Sequence, residues 1–168
     1  MTTGTGGLPT PEEVAHYREH GWHVTGPVVP HGLLDRMREL VEEHQHRPSE
    51  RRLPASIGHS DWGPADGPGV RNNEFLTFQE PRFAPLTLMP LIGQIAAMLS
   101  GTDEIRLFDD QSVLKPPGDD GSVVGWHTDH SYWSTCTSDR MLTAWIPFED
   151  STLANGTLTV VDGSHLWP

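Results

Sequence analysis

Gly125-Trp126-His127-Thr128-Asp129-His130-Ser131-Tyr132-Trp133 sets an imidazole and a carboxylate two residues apart. On extended backbone side chains alternate faces with a period of two, so His127 and Asp129 share a face and one metal ion can take both. Two His and one carboxylate on one face of an ion, with the other positions open, is the ligand set of non-haem Fe(II) oxygenases. This run offers one His and the carboxylate. Spacing alone is weak evidence, because the chain has 10 His and 23 acidic residues and His59-Ser60-Asp61 repeats the pattern. That second pair lies in the Gly/Pro-rich run 57–64, has no strand pattern around it, and reads as a polar loop. The setting of His127 is different: a strand-like segment and the turn Lys115-Pro116-Pro117-Gly118 precede it, aromatics follow, and another strand comes soon after.

Outward from this run the pattern is one of strands. Residues 105–115, 123–129 and 141–148 each read as a strand, the last with Leu142, Ala144, Ile146 and Phe148 on one face and Trp145 on the other. Asn155-Gly156 is a strong hairpin signal, Leu158 to Val161 is the strand leaving it, and Asp162-Gly163-Ser164 turns again. Upstream the period changes. Thr10 caps a first helix with Pro11 at its first position, Glu12 and Glu13 in the first turn, Val14 and Tyr17 on its apolar side, and Gly21 after it. Trp22 to Thr25 reads as a short strand. A second helix spans about 31–46, with Leu33, Leu34, Met37, Leu40 and Val41 on one stripe, and a third covers roughly 85–99, stopped by Gly101. The expected organisation is a single domain over 1–168: a flexible lead 1–9, a mostly helical flank 10–101 containing a long loop 47–72, and strands over 104–168, with the helices packed outside the sheet.

Composition bounds the partners. A chain of 168 residues is long enough for one domain with a real core. Seventeen Gly and 15 Pro indicate many turns. A formal net charge of −12 argues against nucleic acid and anionic membrane as partners. The single Cys136 forms no internal disulfide, and neither a basic, apolar leader nor a membrane-length apolar run is present, so the expected location is the cytoplasm.

Several runs, in order, resemble the phytanoyl-CoA dioxygenase family of Fe(II)/2-oxoglutarate-dependent oxygenases. Asp110 to Gly118 is similar to that family's strand and Lys-Pro turn, and Gly125 to His130 to its metal motif. Trp145 to Asp150, Asn155 to Leu158 and Asp162 to His165 are similar to the segments that follow, and Glu13 to Val24 to its opening helix and strand. The resemblance implies a mainly β fold with flanking α-helices, a double-stranded β-helix of the jelly-roll or cupin type, here incomplete at its C-terminal end.

It also implies roles. His127 and Asp129 become metal ligands for Fe(II). Related halogenases carry a small residue at the Asp position, so Asp129 implies oxygenation. The cosubstrate 2-oxoglutarate, a dianion, needs cationic and polar anchors. Gln111 and Lys115, four apart on one strand, share a face with Ile105, Leu107 and Val113 that the resemblance turns towards the cleft, and Lys115 is the chain's one lysine. Trp145 stands where the family places a Trp beside the cosubstrate. His130, Tyr132 and Trp133, which follow the motif, and Arg71, Asn72 and Asn73, which close the long loop, are the substrate candidates. His165 belongs to a Gly-Ser-His turn rather than to the ligand set, and no base is assignable to Cys136.

The expected function is hydroxylation or desaturation of a small molecule, with secondary metabolism as the setting. Two rivals stand beside it. One is a non-catalytic oxygenase-like subunit, completed by a partner chain or by self-association. The other is a cupin-like metalloenzyme that uses no 2-oxoglutarate. By resemblance the distal His and a carboxylate-clamping Arg lie beyond the Asp162-Gly163-Ser164 turn, so the 168-residue chain alone is expected to be inactive.

Overall fold

The first helix starts where its cap is written. In α1 (Pro11–His20) the Thr10 hydroxyl accepts from the Glu13 amide at 3.3 Å, while the Glu13 carboxylate accepts from the Thr10 amide at 2.8 Å. Gly21 ends it in the left-handed region, its amide donating to the Tyr17 carbonyl at 2.8 Å. This computed structural model describes residues 7–46, 53, 58–116, 123–133 and 135–167. The first part of the expected lead, most of 47–57 and half of the Lys115 to Gly118 turn lie outside them.

Helix α2 (His31–His46) has the expected bounds. Leu33, Met37, Leu40 and Val41 are buried along one stripe, and Leu34, at its edge, is only half-buried. They meet Leu76, Phe83 and Leu86 in the main core, with Val29, Met89, Ile92, Ile146 and Phe148 packed around it. The third helix departs from expectation. Residues 76–100 form α3 (Leu76–Gln79), a 3-10 turn (Pro81–Phe83), α4 (Ala84–Thr87) and α5 (Pro90–Ser100). Pro90 is the cause: its ring disfavours helical backbone on the residue before it, and Met89 is extended at φ −62°, ψ 120°. Beyond the break α5 buries Ile95, Ala96 and Leu99 and packs against α1. No single helix among the described residues is long and apolar enough to cross a membrane.

The sheet is smaller than the sequence implies. Among the described residues it has two strands, β1 (Arg71–Glu74) and β2 (Gln111–Leu114), antiparallel with Arg71 opposite Leu114 and Glu74 opposite Gln111. β1 lies at the end of the expected loop 47–72, which also holds a 3-10 turn (Pro64–Asp66) and an isolated bridge from Asp61 to Asn73. The expected strand 105–115 is reduced to its last third, and 22–25, 123–129, 141–148 and 158–161 carry no ladder. The double-stranded β-helix is therefore not seen. Its strands need partners distant in sequence, and these segments have none among the described residues. Segment 141–148 alternates only at its end: Ile146 and Phe148 lie against the core with Pro147 exposed between them, whereas Ala144, expected on their face, is exposed with Thr143 and Trp145.

Two carboxylates tie β2 to the helices. The Asp110 carboxylate accepts from the Thr77 amide at 2.9 Å and hydroxyl at 2.8 Å, and the Asp110 carbonyl accepts from the Leu76 amide at 3.2 Å. The half-buried Asp109 accepts from the Phe75 amide at 3.2 Å, and burial raises its pKa. Phe75 itself has φ 54°, a left-handed conformation unusual for a bulky residue, at the corner where β1 becomes α3.

Candidate metal centre

His127 and Asp129 come together. His127 Nε2 lies 3.3 Å from Asp129 Oδ1. Thr128 between them is extended at φ −107°, ψ 134°, and a 3-10 turn (Asp129–Ser131) begins directly after it. The proximity thus comes from one extended residue followed by a tight turn, not from a strand in a sheet. The other atoms of both side chains are engaged. His127 Nδ1 is 2.7 Å from the Gly125 carbonyl, which can only accept, so Nδ1 donates there and Nε2 is the ring nitrogen that faces Asp129. The Tyr132 ring stands edge-on to the imidazole, with centroids 5.4 Å apart. Asp129 Oδ2 accepts a hydrogen bond from the Thr143 hydroxyl.

These groups suit a first-row divalent ion. Donors each about 2.1 Å from one ion and separated by 3.3 Å subtend roughly 100° at it, within the range of tetrahedral and octahedral sites. The oriented imidazole and the hydrogen-bonded carboxylate are the outer contacts such ligands use. No third His, Cys, Asp or Glu joins them among the described residues. His165 is held elsewhere, its Nε2 3.0 Å from the Arg18 carbonyl, and His130 is exposed in the 3-10 turn.

Two of the cosubstrate candidates, Gln111 and Lys115, lie on the open side of β2. Gln111, Val113 and Lys115 are exposed while Ser112 and Leu114 are half-buried, so the expected face exists for these three residues; Ile105 and Leu107 lie before β2, where 105–108 are all exposed and no alternation holds. Lys115 Nζ donates to the Gly156 carbonyl at 3.2 Å. Gly156, at φ 84°, is presented by a turn in which Asn155 Nδ2 donates to the Asp150 carbonyl and Asn155 Oδ1 accepts from the Thr152 amide, both at 2.6 Å. Trp145 is 47% exposed. Neither Gln111 nor Trp145 hydrogen-bonds to the pair.

The substrate candidates separate into two places. Tyr132 is against His127, and Trp133 packs edge-on to Phe108 at 5.6 Å. Arg71 and Asn73 belong to another region. The Arg71 guanidinium lies 4.5 Å above the Trp62 ring. Asn73, fully buried, donates to the Trp62 carbonyl at 2.8 Å and to Asp61 Oδ1 at 3.1 Å, and accepts from Gln45 at 3.4 Å. Asn72 reaches Glu74 at 3.5 Å and lines a cleft with Ser60, Asp61, Trp62, Asp66 and Val70. The buried imidazole of His44 lies 3.7 Å from Asp61 there. Asp61 thus sits in a buried polar knot under that cleft, whereas His59 is half-buried beside Phe75.

Thr143 and the carbonyls of Gly125 and Gly156 were not anticipated. Carbonyls leave no mark on a sequence. Thr143 does, because in the expected strand it stands two residues before Trp145 and so shares its face.

No curated protein and no solved structure matches the chain. The model of the phytanoyl-CoA dioxygenase (PhyH) family matches residues 17–168, and the chain belongs to that family of dioxygenases, whose fold is a cupin-type jelly roll.

Proposed function

We propose that this chain provides His127 and Asp129 as metal ligands of an Fe(II)- and 2-oxoglutarate-dependent oxygenase that hydroxylates or desaturates a small molecule. The observation that carries the reading is the 3.3 Å pairing of His127 Nε2 with Asp129 Oδ1 in a member of a dioxygenase family. Fe(II) with 2-oxoglutarate and dioxygen, when bound, supplies oxidation of an unactivated C–H bond, coupled to loss of carbon dioxide and formation of succinate.

The residues of the chain bind and orient. The Gly125 carbonyl holds the His127 proton on Nδ1 and so keeps Nε2 free for the ion. Lys115 brings the one lysine charge to a face it shares with Gln111, and exchanges the Gly156 carbonyl for a carboxylate of the cosubstrate, a stronger, charge-assisted partner. Trp145 walls that cosubstrate from water. Tyr132 and Trp133, with His130, rim the metal side and meet the substrate.

A second reading, an oxygenase-like subunit that is completed by another chain or is non-catalytic, is favoured by one observation: the pair has no third ligand among the described residues. Succinate formation by the purified chain with Fe(II), 2-oxoglutarate and air separates the two. Turnover supports the oxygenase; metal binding with no succinate, under any 2-oxoglutarate concentration, supports the subunit and removes the enzymatic reading for the chain alone.

A further inference from the structure

We propose that Thr143 is a positioning residue that decides which oxygen of Asp129 binds the metal. The inference rests on the reading of His127 and Asp129 as ligands and goes one step past it. The two oxygens of the carboxylate have different surroundings: Oδ1 faces His127 Nε2 at 3.3 Å, and Oδ2 accepts from the Thr143 hydroxyl. A carboxylate with one oxygen held by a donor offers the other to a cation, and binds through one atom rather than two. That difference matters in a centre built on few protein ligands, where each position taken by a second carboxylate oxygen is lost to an exogenous ligand.

The donor is itself fixed. Thr143 lies 14 residues from Asp129, in the segment whose Ile146 and Phe148 pack on the core formed by α2, α3 and α4. Asp129 opens a 3-10 turn in a stretch that is mostly exposed. The hydroxyl therefore ties a ligand on a surface segment to one seated on the core, and the carboxylate rotamer is set before any ion arrives. Thr143 touches neither ion nor substrate, and acts through Asp129. Loss of an outer hydrogen bond to a ligand weakens metal binding by about 10–100-fold.

The test uses the full chain with Mn(II) and Co(II) under anaerobic conditions, and the variants Thr143→Val, Thr143→Ser and Asp129→Ala. Mn(II) affinity is read from the loss of the free-ion electron paramagnetic resonance signal, coordination number from the intensity of the Co(II) visible bands, and folding from thermal melts. Valine keeps the shape and removes the donor at an exposed position, so melting should stay put while Mn(II) affinity falls about tenfold or more and the Co(II) bands change. Serine should restore both. Unchanged Mn(II) affinity in Thr143→Val, or an equal loss in Thr143→Ser, overturns the role of the hydroxyl while leaving the ligand assignment intact. Mn(II) binding that survives Asp129→Ala instead removes the assignment itself, and the inference with it.

Discussion

His20 Nδ1 lies 3.0 and 2.9 Å from the two carboxylate oxygens of Asp162, 142 residues further along the chain. Trp22 Nε1 donates to the same carboxylate at 2.8 Å, and the Gly163 amide donates to the His20 carbonyl at 2.9 Å. The His165 ring, bonded to the Arg18 carbonyl, fills the space a side chain at Gly21 would need. The end of α1 is thus clasped to the Asp162-Gly163-Ser164 turn. His16 stacks on His20 with centroids 4.3 Å apart, and Glu19 lies 3.9 Å from His20 Nε2.

That clasp is sensitive to pH, and its sign follows from the two shifts. The hydrogen bond to Asp162 raises the His20 pKa, so its contribution is fully present below about 6.5, the ordinary imidazole value, and is lost as pH rises through the raised value. The same bond lowers the Asp162 pKa, so that contribution is present above the ordinary carboxylate value and is lost as pH falls through the lowered one. Asp162→Asn should therefore lower the melting temperature most in mildly acidic solution, and the difference from wild type should shrink on the alkaline side to what the Trp22 hydrogen bond leaves. Melts from about the ordinary carboxylate value of 4 to about two units above the ordinary imidazole value of 6.5 check this; a difference that grows with pH would contradict it.

Divalent metal binding should require His127 and Asp129 and ignore His59. Both ring nitrogens of His59 are enclosed and lack a hydrogen-bond partner among the described residues, so the ring behaves as a packing group against Phe75. Anaerobic calorimetry with Mn(II) should find binding in His59→Ala and none in His127→Ala or Asp129→Ala. The reverse pattern would move the centre to the second His-x-Asp pair.

What the sequence made legible was local. The Thr10 and Glu13 capping box, Gly21 and the stripe of α2 act within a turn or two, and each lies where its pattern placed it. The proximity of His127 and Asp129 was legible too, although an extended residue and a turn create it rather than a strand. What stayed hidden depends on distant partners. Arg71-Asn72-Asn73-Glu74 has no apolar alternation, and becomes a strand because β2 pairs with it and Asn73 is wanted beneath it. Trp22 is tied by its side chain to Asp162 instead of by a ladder. The break before Pro90 was readable in principle, since proline inside a helical pattern marks a boundary.

Lys115→Met should weaken 2-oxoglutarate binding to Mn(II)-loaded protein and leave Mn(II) affinity alone. Methionine keeps the apolar stem beside Gly156 and removes the ammonium that donates to its carbonyl. A charge-assisted hydrogen bond contributes about 1.5–3 kcal/mol, an affinity change on the order of tenfold to a hundredfold. Calorimetric titration of 2-oxoglutarate measures it. A dissociation constant equal to that of the wild type would leave Lys115 as a clamp for the 152–156 turn and nothing more.

Asn73→Ala should cost stability and spare metal binding. Its amide is fully buried, donates to Asp61 and the Trp62 carbonyl, and accepts from Gln45, so it joins α2, β1 and the 61–62 loop. Alanine leaves the Trp62 carbonyl and the Gln45 amide short of a partner inside the protein, a loss of about 1–3 kcal/mol. Arg71 is the contrast, because its guanidinium rests on the face of a half-buried Trp62 and a contact of that kind contributes about 0.5–2 kcal/mol. Urea denaturation should therefore rank Asn73→Ala below Arg71→Ala, with Mn(II) affinity of the folded fraction unchanged in both. If Asn73→Ala kept wild-type stability and lost substrate affinity instead, the residue would belong to the binding cleft and not to the buried knot.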